Sequence, residues 1–156
     1  MKTYYFKTWF ILLCFTVLTC TVSCSKDDSA TPSVEEDILQ LVNAHRASIG
    51  KEALSTNTLA TQLAKEHTLF MIGQEQISHD NFDYRADKLF DEENANNVGE
   101  NVAAKQKSAE YVMEAWLNSQ GHRDNIEGDF THIGISAIKN EVGEYYYTQI
   151  FLRISL

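Results

Sequence analysis

A change of hydrophobic period near residue 130 constrains this chain most. Residues 132–138 alternate, with Ile133, Ile135 and Ala137 on one side and Gly134, Ser136 and Ile138 on the other. Residues 145–154 are aromatic and β-branched, and residues 140–143 supply turn formers between the two runs. Side chains alternate across a strand, so this pattern predicts an antiparallel hairpin. The periodic segments before it have helical spacing. Helices first and a hairpin last predict an α+β fold rather than alternating α/β.

Ser33 and Glu36 have capping-box spacing, and Glu35, Glu36 and Asp37 suit a helix N-terminus. Ile38, Leu41, Val42 and His45 follow on one face, with Gly50 as the stop. Asn43 and Arg46 on this helix are expected to tie it to neighbouring loops. A second helix over 57–73, capped by Asn57 or Thr58, carries a stripe of Leu59, Leu63 and Phe70 with Ala60 and Ala64. His67 lies near that stripe and reads as a packed or surface residue rather than a ligand. Residues 74–83 form a loop carrying Ser78-His79-Asp80, and 84–90 a short helix. Residues 91–97 are acidic and asparagine-rich and read as a surface loop. Ser108 opens another helix, with Trp116 on its buried side, and 119–128 is turn-rich with room for a helical turn.

The 156 residues are enough for one domain, and a hydrophobic fraction of 44% is a globular value. The net charge of −9 and the lack of a basic stripe exclude a nucleic-acid partner. Cys14, Cys20 and Cys24 are the only cysteines. All three lie at the N-terminal end, so the folded domain has neither a disulfide framework nor a thiol nucleophile. Lys2 and Lys7 precede an apolar run over 9–22, too short to read as a spanning helix. Thr21-Val22-Ser23-Cys24 resembles a bacterial lipobox. The expected organisation is a lipoprotein signal peptide over 1–23, a flexible tether over 24–33 and a domain over 34–156. Lipid on Cys24 would anchor the chain to a membrane in the bacterial cell envelope, outside the cytoplasm. Ser25-Lys26-Asp27-Asp28 resembles signals that export lipoproteins to the outer cell surface.

His79, Glu100 and His122 are the residues best suited to chemistry. Imidazole and carboxylate ligate zinc and similar divalent cations, and three protein ligands leave a position for water. Without metal, a histidine–glutamate pair serves as general base and orienter. The spacings, about twenty residues each, match no compact zinc motif. The alternative is a buried network, with Glu100 satisfying backbone amides and His122 capping a helix end. Ser119, near His122, is a further catalytic candidate.

These segments together resemble a CAP domain (cysteine-rich secretory proteins, antigen 5 and pathogenesis-related 1) in its bacterial SCP-like form. The resemblance rests on Leu41-Val42-Asn43 with Arg46; on Ser78-His79; on Gly99-Glu100-Asn101-Val102; on Trp116 with Ser119, Gly121-His122-Arg123 and Asn125-Ile126; on Ile133-Gly134-Ile135; and on Tyr147-Thr148-Gln149 with Phe151. It implies an α-β-α sandwich, a small, mainly antiparallel sheet between helices. It also implies that His79, Glu100 and His122 meet in a cleft that can hold a divalent cation such as zinc. The family's second acid falls at Ser119, a poor metal ligand. Trp116 is expected in the core; Asn43, Arg46 and Asn125 as hydrogen-bond partners; Tyr147 and Gln149 facing the cleft. Two functions follow from the resemblance: a membrane-tethered binding module for a protein, lipid or small-molecule ligand, or a hydrolase acting on peptides or cell-wall material.

Overall fold

The computed structural model describes Met1 and residues 32–155. The expected signal peptide, Cys24 and most of the expected tether lie outside the described residues. Among those described, the elements run α1 (Val34–Ser48), β1 (Ser55–Thr56), α2 (Thr58–Gln74), α3 (Phe82–Glu93), β2 (Ala95–Ala104), α4 (Ala109–Leu117), α5 (Gln120–Ile126), β3 (His132–Lys139) and β4 (Tyr145–Ile154).

The expected hairpin is β3 and β4, antiparallel from His132 opposite Leu152 to Lys139 opposite Tyr145. On its other side β4 pairs antiparallel with β2, and β1 adds two residues parallel to β3. The sheet order is therefore β1-β3-β4-β2. Strand parity divides the core between two faces. Ile133, Ile135, Tyr147 and Phe151 pack against Ile38 and Val42 of α1 and against Val112 and Trp116 of α4. Ile150 and Leu152 pack against Ala60, Leu63 and Ala64 of α2 and Leu89 of α3. Helices thus cover both faces, as the α-β-α expectation requires. A strand buried on both faces loses the polar half of its alternation, so residues 146–152 of β4 are continuously buried. Each large aliphatic side chain buried this way contributes about 1.5–3 kcal/mol.

Both ends of α1 form as their residues dictate. The Glu36 N–H donates to Ser33 Oγ at 3.2 Å, and the Ser33 N–H donates to Glu36 Oε2 at 3.0 Å. Gly50 takes φ +75, which lets the Gly50 and Lys51 N–H groups bond back to the carbonyls of Ala47 and Arg46. Asn43 clasps Leu54 through its N–H and its carbonyl. The buried Arg46 donates to the carbonyls of Glu52, Ile126, Gly128 and Phe130. The expected ties between α1 and its loops are therefore present. Burial lowers the pKa of Arg46 below the usual arginine value, and Asp129 opposes that shift.

Residues 91–97 differ from the loop expected there: α3 runs on to Glu93, and β2 begins at Ala95. Strand β2 is a sheet edge, so its outward carbonyls need partners. Asn125 Nδ2 donates to the Glu100 carbonyl at 3.0 Å, and Trp116 Nε1 to the Val102 carbonyl at 3.3 Å. A Cβ on Gly99 would sit 2.7 Å from Asn125 Oδ1, so glycine is what admits that cap.

Candidate functional site

The site lies at the β2 edge, where helices from the two faces approach each other. Alternation along β2 turns Glu100 toward α2 and α3, and turns Asn101 toward α4 and α5. The Glu100 side chain is 2% exposed, and such a carboxylate needs charged or strongly donating partners. Arg85 of α3 supplies a forked pair: Nε donates to Oε2 at 2.7 Å and Nη2 to Oε1 at 2.8 Å. His79, from the loop between α2 and α3, lies with Nδ1 2.9 Å from Oε1. A carboxylate held by a guanidinium only accepts, so His79 Nδ1 carries a proton, and in the neutral ring Nε2 keeps its lone pair. The His79 side chain is 53% exposed, and it is the half-open member of the group.

His67 of α2 completes the network. Its side chain is 1% exposed, with Nε2 3.8 Å from Glu100 Oε1. Of the packed and surface positions expected for it, the structure gives the packed one, and places it beside Glu100. Burial holds its pKa below the ordinary imidazole value, against the opposing pull of Glu100 and the Ser78 carbonyl.

His122 approaches from the opposite face on α5. Burial is the main cause lowering its pKa, and the nearby His79 ring lowers it further. Its backbone is fixed from behind: Asn101 Nδ2 donates to the His122 carbonyl at 3.0 Å, and Asn125 Nδ2 donates to Asn101 Oδ1 at 2.9 Å. The structure thus joins His79 directly to Glu100 and brings His122 near His79. Ser119 is the residue before α5, and its hydroxyl makes no capping bond. Among the described residues no hydrogen bond links Ser119 to His79, Glu100 or His122. Tyr147 and Gln149 do not face the cleft. The Tyr147 hydroxyl donates to the Gln106 carbonyl, and Gln149 is buried behind Asn101 with its Oε1 accepting from Asn101 Nδ2. Both residues sit on the β4 parity that faces α1 and α4.

One expectation for Glu100 changes. Its carboxylate is held by side chains rather than by backbone amides. Arg85 bonds both carboxylate oxygens, so a cation at Glu100 would compete with the guanidinium. His79 Nε2 and His122 remain, one ligand short of the three protein donors of a catalytic zinc site. Among the described residues no group of three or more His, Cys, Asp or Glu side chains is arranged around a common ion position. Arg85 is the residue that sequence reasoning missed. Its signal was available: it shares the buried face of α3 with Ala86 and Leu89, and a cation on an apolar face needs a buried anion.

The depressed pKa values give a pH dependence with a definite sign. His67 and His122 release protons in the folded state at lower pH than in the unfolded chain, where imidazole titrates near about 6.5. Below that value the unfolded state binds more protons, so stability falls as the pH drops and is level above it. Urea midpoints at pH 7.5 and pH 5.0 should show this loss, and His122→Gln should reduce it. An unchanged midpoint would mean that neither ring is perturbed.

The fold is that of an α+β sandwich carrying an edge-strand glutamate between histidines from opposite faces. Residues 39–151 match the CAP family, the cysteine-rich secretory protein family, and the chain belongs to it. It is 30% identical over 118 residues to the uncharacterized protein YkwD of Bacillus subtilis, covering 72% of this chain and 45% of that protein. It is 32% identical over 123 residues to the uncharacterized membrane protein YlbC of the same organism, covering 76% of this chain and 34% of that one. The chain therefore spans less than half the length of these relatives. Among solved structures, an extracellular SCP-domain protein from Bacillus anthracis is 27% identical with a TM-score of 0.67, over 77% of this chain and 40% of that one. An outer surface protein from Borrelia burgdorferi, at 20% identity and a TM-score of 0.69, shares the fold over 80% of this chain and 97% of its own.

Proposed function

We propose that this chain is an envelope-tethered binding module that receives its ligand between His79 and His122 without a resident metal. One observation carries the reading: Glu100 is spent inside the protein, on Arg85 and His79, and what reaches the opening is a fixed imidazole acceptor. His79 Nε2 suits a ligand with an N–H or O–H donor, the groups that peptides and glycans of a cell wall present. The same oriented imidazole favours a second reading, a hydrolase with His79 as general base, since Glu100 would stabilise the ring as it takes a proton.

Retention of the purified chain by cell-wall sacculi separates the two readings. Binding should fall several-fold to about tenfold in His79→Gln, the worth of one hydrogen bond, with no soluble fragments released. Fragments released by the wild type and absent with His79→Gln would establish the hydrolase instead. No retention at all would remove the cell wall as ligand. Zinc titration of the same protein should show no stoichiometric site; tight binding lost in both His79→Ala and His122→Ala would overturn the metal-free reading.

The tether is proposed from the N-terminal residues and supported by relatives described as an extracellular protein and a membrane protein. Among the described residues no helix is long and apolar enough to cross a membrane, and lipid on Cys24 supplies attachment without one. Cys24→Ala should move the chain from the membrane to the soluble fraction. Full membrane retention of that variant would refute the anchor.

A further inference from the structure

His79 sits in a seven-residue connection, 75–81, between α2 and α3. Such a segment places a side chain reproducibly only where its backbone is held. The two carbonyls flanking His79 are both held, each by a buried side chain of the Glu100 network. Arg85 Nη1 donates to the Asp80 carbonyl at 2.8 Å. On the other side, His67 Nε2 lies 2.7 Å from the Ser78 carbonyl. A carbonyl only accepts, so His67 Nε2 carries the proton. His67 Nδ1 is buried and has no hydrogen-bond partner among the described residues. In the neutral ring it is a bare lone pair; a proton there would be a buried donor without an acceptor. The surroundings therefore select one tautomer of His67, the one that donates to Ser78.

We infer that His67 is a positioning residue: its Nε2–H fixes the Ser78 carbonyl and thereby sets both the place and the tautomer of His79. With the segment pinned, His79 Nδ1 meets Glu100 Oε1 and Nε2 is left as the acceptor. Without the pin, the Ser78-His79 peptide is free to turn. His79 then loses its carboxylate partner and returns to the tautomer mixture of a solvated imidazole, in which Nε2–H predominates. The tautomer of a histidine is set by the bond its other nitrogen makes, so the consequence can be read without any ligand. The inference rests on His79 as the presented group. Its test uses the unliganded protein, so its failure is distinct from a failure of the ligand assay.

The test is nitrogen NMR of the full chain with labelled histidine, in detergent micelles above pH 7.5. Wild type should show His67 protonated at Nε2 and His79 protonated at Nδ1. Absence of either signature overturns the inference with no variant needed. In His67→Phe, which removes the donor and keeps an apolar ring, His79 should change from Nδ1–H to mostly Nε2–H. In His67→Gln the side-chain amide can still donate to Ser78, and the wild-type His79 signature should return. A His79 signature unaltered in folded His67→Phe overturns the inference, as does one equally lost in both variants. If His67→Phe fails to fold, His67→Gln decides: a retained signature supports the role, and a lost one refutes it.

Discussion

Gly134→Ala is expected to cost the domain about 4 kcal/mol or more, enough to leave a large share of a marginally stable protein unfolded. Gly134 lies in β3 where the first turn of α2 crosses the sheet. A Cβ placed there would stand 2.1 Å from the Ala60 carbonyl carbon and 2.3 Å from the Thr61 nitrogen. Those atoms are helix backbone and cannot rotate away as a side chain would. Ala60, Leu63 and Ala64 behind them are buried against Ile150 and Leu152. Relief therefore requires α2 to lift and open the packing along its length, which places the change at or beyond the upper end of overpacking costs. The same substitution at Gly73, in the last turn of α2, meets nothing within 4 Å. There alanine should stabilise by roughly 0.4–1 kcal/mol, through the entropy glycine gives the unfolded chain. Urea midpoints of the two variants should thus move in opposite directions. A loss below about 1 kcal/mol for Gly134→Ala would show that α2 is free to shift on the sheet.

Gly134 also marks where sequence reading reaches its limit. The alternation of 132–138 places that glycine on a face of β3, but only the fold shows that a helix backbone passes over it. The elements read correctly are those whose signals are local. Ser33 and Glu36 cap each other within one turn, Gly50 ends α1 through its own φ, and the β3–β4 hairpin is contiguous. Strand β2 was not legible because its cause is distant. Asn96, Asn97, Gly99 and Asn101 are poor strand formers, and they form one because β4 pairs with them while Asn125 and Trp116 cover the open edge. The site divides in the same way. The meeting of His79 with Glu100 followed from the family resemblance. Arg85 carried a signal, a cation on the apolar face of α3, but neither it nor His67 names its partner locally: 15 residues separate Arg85 from Glu100, and 11 separate His67 from Ser78.

Arg85→Met should destabilise the domain by about 3–5 kcal/mol, the cost of stranding a buried charge. The reason is the state in which it leaves Glu100: side chain 2% exposed, with His79 as its one remaining hydrogen-bond partner and His67 Nε2 3.8 Å away. Arg85→Lys should recover only part of this, because an ammonium cannot reproduce the fork to both oxygens or reach the Asp80 carbonyl as well. Removing both charges in Arg85→Met with Glu100→Met should cost far less than the sum of the single changes, since an apolar pair needs no partner. Additive losses would mean that water reaches Glu100 and that the ion pair is not closed. The single variant also tests the proposed metal-free state of the site. With Arg85 gone, both Glu100 oxygens become available beside His79, and zinc affinity should rise above wild type even as stability falls. Zinc is then the cation that replaces the guanidinium. A folded Arg85→Met with zinc affinity no greater than wild type would show that Arg85 does not set the zinc affinity of the site.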